Sequence, residues 1–137
     1  MKRLLAVTLL CSAALLGACQ PQAAGPRNVV VEAKEFQFTP NTIEVKVGEQ
    51  IQITLKNAGT LDHDFSVKAI PVSQVKLPEH SDMPGHEHMD DLTLHMVAAV
   101  GETVALTFTP SQAGEYEFYC TVAGHKDGGM HGTLIVK

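Results

Sequence analysis

The 137 residues carry 10 Lys and Arg against 15 Asp and Glu, a net charge of −5 with His neutral. That length suits one domain, and the acidic balance, with no basic cluster anywhere, argues against a nucleic-acid partner. A domain of this size holds a core without disulfide staples.

The chain begins with a leader. Lys2 and Arg3 precede an apolar run, Leu4 to Leu16, too short to span a bilayer as a stable helix, and Gly17 and Ala18 are small. Residues 1–18 therefore read as an export signal. Leu16-Gly17-Ala18-Cys19 resembles a bacterial lipobox, so Cys19 is expected to become the lipidated N-terminus; ordinary cleavage nearby is the alternative. Several acyl chains would anchor the protein firmly to a membrane. Cys11 leaves with the signal. Removing it takes away two basic residues and no acidic one, so the charge moves from −5 to −7. Residues 19–27 are the lipidated Cys and a Pro-containing tether whose seven residues after Cys19 reach at most about 25 Å.

Residues 28–137 read as one β domain. Val29 to Val31 begin a strand, and Glu35-Phe36-Gln37-Phe38 alternates polar and aromatic. Thr39-Pro40-Asn41 is a turn. Ile43, Val45 and Val47 alternate with polar residues, as do Ile51, Ile53 and Leu55. After the Asn57–Thr60 loop, His63, Phe65, Val67 and Ala69 share one face, with Asp62, Asp64, Ser66 and Lys68 on the other. Residues 70–91 break the rhythm: Pro71, Pro78 and Pro84 exclude long helices and central strands. Leu92 to Val100 resumes alternation, with His95 and Met96 placed in a strand and its core. Val104, Leu106 and Phe108 follow. Tyr116, Phe118 and Cys120 share an inward face, and Thr133 to Lys137 is the last strand. About eight strands between short turns, with no amphipathic helix, predict an all-β Greek-key β-sandwich.

Chemistry concentrates between Tyr119 and Gly132. Cys120, His125 and Met130 are separated by four residues each on a glycine-rich loop. Thiolate and thioether suit Cu(I), and imidazole suits both copper states. Cys120 also has no disulfide partner once Cys19 is acylated, and a lone thiol in an oxidising compartment survives when buried or metal-bound. A fourth ligand must come from His63, His80, His86, His88, His95 or His131. His63 opens a strand with apolar same-face neighbours, which places it at an end of the sandwich, pointing inward. A hydrogen-bonded His at a loop–strand junction is the commoner fate of such a residue. His131 is expected to point away from the metal.

Residues 29–137 resemble the cupredoxins (type 1, blue copper proteins, plastocyanin- and azurin-like). The motifs are Glu35-Phe36-Gln37-Phe38-Thr39-Pro40-Asn41, Val47-Gly48-Glu49, Asn57-Ala58-Gly59 ahead of His63-Asp64-Phe65, and Gly114 to Cys120 through Gly132 to Val136. The loop spacing is nearest rusticyanin, sulfocyanin and auracyanin-like members. The resemblance implies one type 1 copper held by His63, Cys120 and His125, with Met130 axial. It also implies that His125 presents its outer edge at an apolar patch as the electron port. Many members carry Asn after the first His, and its side chain ties the ligand loops together. Here it is Asp64, which cannot donate when ionised. Gly124 stands where a binuclear Cu-A centre would need a second Cys.

These readings lead to an exported electron carrier, not an enzyme, because four protein ligands close the site. It is expected to be a monomer on the periplasmic or extracytoplasmic face, held by its lipid and exchanging electrons with a cytochrome or oxidoreductase. The alternative is copper delivery, homeostasis or resistance, fed by a possible secondary metal site at His80, Met83, His86, His88 and Met89. Such a site would weaken as its imidazoles protonate.

Overall fold

The computed structural model describes residues 25–78 and 91–137. The expected leader, Cys19, and His80, Met83, His86, His88 and Met89 lie outside these residues. Among the described residues ten strands form: β1 (Arg27–Lys34), β2 (Gln37–Thr39), β3 (Thr42–Val45), β4 (Ile51–Asn57), β5 (His63–Val67), β6 (Val72–Lys76), β7 (Leu94–Ala98), β8 (Thr103–Pro110), β9 (Gly114–Tyr119) and β10 (His131–Val136). They make two five-stranded sheets, ordered β2-β1-β4-β8-β6 and β3-β10-β9-β5-β7. The chain crosses repeatedly between the sheets, and the protein is the expected all-β sandwich.

Alternation explains most of the core. Ile43 and Val45 point inward from β3, Ile51, Ile53 and Leu55 from β4, and Leu106 and Phe108 from β8, all buried. Their polar neighbours stay wetter. At the centre Phe65 stacks on Phe118 with centroids 4.8 Å apart, and Phe38 meets Phe118 edge-on at 5.4 Å. This aromatic cluster joins β2, β5 and β9, so it ties the two sheets together next to the strand that ends at Cys120.

The sequence pattern differs from the structure at several places. The alternation over 35–38 is interrupted: Lys34 pairs with Gln37, so Glu35 and Phe36 are the two turn residues of a β1–β2 hairpin. An extra strand, β6, lies inside the Pro-flanked stretch. It is an edge strand, the one place in a sheet that neighbouring prolines tolerate, and its pairing with β8 shifts register between Ser73 and Lys76. Hence ten strands rather than about eight. Val47 is 45% exposed because β3 ends before it, and Ala69 is exposed because β5 stops at Val67. Tyr116 is only half-buried, with its hydroxyl donating to the Gln112 carbonyl at 3.1 Å. On β5 all five residues are buried, including Asp64 and Ser66 on the face opposite His63.

The register fixes one pole of the sandwich. Ser66 of β5 pairs antiparallel with Tyr119 of β9, so the start of β5 and the end of β9 come to the same place. The ends of β1 and β4 reach it too, with Ala33 opposite Asn57. Truncating the aromatic that supports this pole, Phe118→Ala, is expected to lower the stability of the metal-free protein by about 3–5 kcal/mol. Denaturant unfolding followed by far-ultraviolet circular dichroism measures it.

Candidate metal centre

His63 arrives on a pinned loop. The buried Asn57 side chain donates to the Leu61 carbonyl at 2.8 Å and to the Ala98 carbonyl at 2.9 Å, and its oxygen accepts the Gly59 N–H at 2.9 Å. One side chain thus closes residues 57–61 into a fixed path and delivers His63 at the first position of β5. The sequence reading places Asn57 in a loop and in the Asn57-Ala58-Gly59 motif, without assigning its side chain these bonds. An Asn followed by Gly two positions later is the turn signal that was available.

Cys120 follows β9 directly and is fully buried. From there a chain of backbone hydrogen bonds winds the loop tightly: His125 N–H to Val122, Gly128 to Gly124, Gly129 to Lys126, and Met130 to His125, all at 2.9 Å. The Cys120 N–H then donates to the Met130 carbonyl at 3.1 Å and closes the loop on itself. Gly124 and Gly129 take φ of 80° and 107°, which only glycine adopts without strain. Met130 is fully buried where the loop returns.

The result is one compact donor set. His63, Cys120 and His125 are all buried, and their ligand atoms lie within 4.8 Å of one another. The Cys120 sulfur is 3.5 Å from His125 Nδ1, and the two imidazole centroids are 5.1 Å apart. Both ring nitrogens of His63 are buried without a hydrogen-bond partner. Burying an imidazole so costs free energy that a hydrogen bond would ordinarily offset, and a metal ion is the partner that this arrangement suits. Two imidazoles, a thiol and a nearby buried Met match the preferences of copper in both oxidation states.

Asp64 dominates the surroundings. The pairing of Ser66 with Tyr119 puts Asp64 opposite Thr121. Its carboxylate accepts the Thr121 N–H at 3.0 Å and the Thr121 hydroxyl at 2.9 Å. It also accepts the Ser66 hydroxyl at 2.6 Å, and its Oδ2 lies 3.5 Å from the Cys120 sulfur. In keeping with an ionised Asp that cannot donate, Asp64 joins β5 to the Cys120 loop by accepting. Burial first, then the Asp64 charge, push the Cys120 thiol up to about 12. Burial, then the neighbouring His125, push His63 down, which keeps its imidazole in the neutral, metal-binding form. The metal-free site therefore holds a thiol, and loading it with an ion releases a proton.

The other candidates separate clearly. His95 is buried in β7, with Nδ1 2.8 Å from the Ser66 hydroxyl. His131 is exposed and sits 3.9 Å from Glu117, away from the donor set. His125 is only 4% exposed. Its imidazole packs edge-on with the ring of the exposed Phe36 at 5.5 Å. The role of Phe36 has no signature in alternation, since the pattern reads as a strand.

A family model for the cupredoxin-like domain matches residues 4–136. The chain is 30% identical over 108 residues to the copper-resistant cuproprotein CopI of Rubrivivax gelatinosus, a match covering 79% of this chain. The chain spans 64% of the length of that relative. Among solved structures, auracyanin A, a "blue" copper protein of Chloroflexus aurantiacus, superposes with a TM-score of 0.64 at 24% identity, over 82% of this chain and all of that one. Dithionite-reduced auracyanin of Roseiflexus castenholzii gives 0.63 at 21% identity, over 83% and 99%. The chain belongs to the cupredoxin-like domain family.

Proposed function

We propose that His63, Cys120, His125 and Met130 hold a single copper ion and that the protein is an electron carrier. The observation that carries this is the buried donor set itself: three ligand atoms within 4.8 Å, with both nitrogens of His63 unsatisfied. Bound copper would supply one-electron chemistry, cycling between Cu(I) and Cu(II). The chain's own residues do the rest. The loop hydrogen bonds and Asp64 hold the donors against rearrangement, so little nuclear motion accompanies electron exchange. The buried walls exclude water from the sulfur. Four protein donors leave no position for a substrate, which speaks for a carrier rather than an enzyme. In this reading the mature protein works as a monomer on the extracytoplasmic side of a bacterial membrane. Cys19 is its lipid anchor, and a cytochrome or oxidoreductase is its redox partner.

A second reading is supported by a relative's name, copper-resistant cuproprotein. In it the protein serves copper resistance, and His80, Met83, His86, His88 and Met89 take further copper. The same buried site is compatible with that role, and the two readings differ in what residues 80–89 do.

The Cu(II)-loaded protein is expected to show an intense thiolate-to-copper band in the visible spectrum, absent from Cys120→Ser. A weak spectrum unchanged by that substitution removes the site. In calorimetry, Cys120→Ser titrated with Cu(II) tests the second reading: heat that fades on acidification below about pH 6.5 supports it, and no heat at micromolar Cu(II) removes it.

Asp64 places a carboxylate beside the sulfur, which favours the more positive oxidised ion. Asp64→Asn is therefore expected to raise the reduction potential. The shift should be on the order of 100 mV, the size for one charge removed a few ångströms from the ion at an effective dielectric of about 20. Protein-film voltammetry of both proteins reads it.

A further inference from the structure

The turn at the end of β1 is unfavourable for folding on two counts. Phe36 adopts φ of 62°, a left-handed conformation that bulky residues rarely take and that Gly or Asn supplies in hairpin turns. The residue is also 48% exposed. A residue that is both strained and wet is held there by something else, and such positions cluster at functional sites.

The ring's neighbours show what holds it. It meets His125 edge-on at 5.5 Å and 72°, the arrangement that aromatic pairs prefer. It also lies over Gly128, where an added Cβ would collide with the ring carbons. Glu35, the other turn residue, accepts hydrogen bonds at Oε1 from the Thr60 N–H and, at 2.8 Å, the Thr60 hydroxyl. Thr60's backbone N–H is the first cause that holds the Glu35 carboxyl down, to about 2. Gly59 stands between this carboxylate and His63: a Cβ there would be 2.7 Å from Glu35 Oε1 and 2.8 Å from His63 Nε2. One two-residue turn is thus braced on the loop that delivers His63 and lies against the imidazole of His125.

We propose that this turn is a cap on the metal centre. Phe36 is its positioning residue: the ring fixes the His125 imidazole, excludes water from it, and sets the rate at which the copper ion leaves. Glu35 anchors the cap to Thr60. The proposal rests on the copper reading above. It assigns Phe36 a function in ion retention that its turn position alone does not require.

The test is Phe36→Gly, since glycine takes the left-handed turn without strain and removes only the ring. Wild-type and variant proteins are loaded with copper, reduced, and mixed with excess Cu(I) chelator, and transfer is timed. Denaturant unfolding is measured in parallel. The variant is expected to unfold at the same or higher denaturant concentration, yet to release copper roughly tenfold faster, as loss of an aromatic edge contact and of its shielding implies. Phe36→Tyr, which keeps the ring, should restore the wild-type rate. Phe36→Asn, also tolerated in a left-handed turn, serves as a second ring-less variant should the glycine variant fold poorly. Equal release rates for ring-containing and ring-less proteins overturn the cap. Absence of the thiolate band from wild-type protein overturns the copper reading instead, so the two failures are distinguishable.

Discussion

Asp64 is the point at which the strand framework and the metal loop meet. The ladder between β5 and β9 is a single pair, Ser66 with Tyr119. One register step further, the backbone partner of Thr121 is replaced by a side chain, and the Asp64 carboxylate takes both the N–H and the hydroxyl of that residue. The two chain segments can therefore separate, leaving room for donors between them, while remaining tied. A buried charged acceptor with several donors is stronger than a neutral one. It also leaves the carboxylate beside the Cys120 sulfur, so the same tie influences the electrostatics of the site.

The rest of the pole follows from that tie. The loop from Cys120 to Met130 is stabilised by its own backbone hydrogen bonds, and its two ends, Cys120 and Met130, are packed into the hydrophobic core. Asn57 does the corresponding work for His63, satisfying two backbone groups of its own loop and the Ala98 carbonyl at the end of β7. Together they hold two unsatisfied imidazole nitrogens in a dry place. That is costly for folding and useful for binding, because no reorganisation is then needed when an ion arrives. Burial first, then Asp64, push the Cys120 thiol up, which disfavours the reactive thiolate form in the absence of a metal.

Both roles considered for the protein draw on this geometry, and they require different properties of it. A carrier benefits from a closed, rigid, water-free site from which copper escapes slowly. A protein that hands copper on benefits from a route out. At the outer side of this pole Phe36 and Leu61 stand at 48% and 49% exposure.

The sequence by itself determined the class of fold and the local half of the site. Period-two alternation in β3, β4, β8 and β10 reports one wet and one dry face, and the equal spacing of Cys120, His125 and Met130 marks a ligand loop, because that chemistry is contiguous in the chain. Tertiary structure decided what depends on register. That Asp64 lies opposite Thr121, and is buried on a strand with no wet face, follows from pairing across 57 residues of chain. That the pattern over 35–38 is a turn, and not a strand, depends on where β1 folds back to pair with Gln37. The edge strand β6 has no signature in the alternation, because prolines forbid central strands but leave edges open. Ligand types can be read along the chain; the groups that orient, charge and cover them come from other strands, and alternation carries no information about which strands those are.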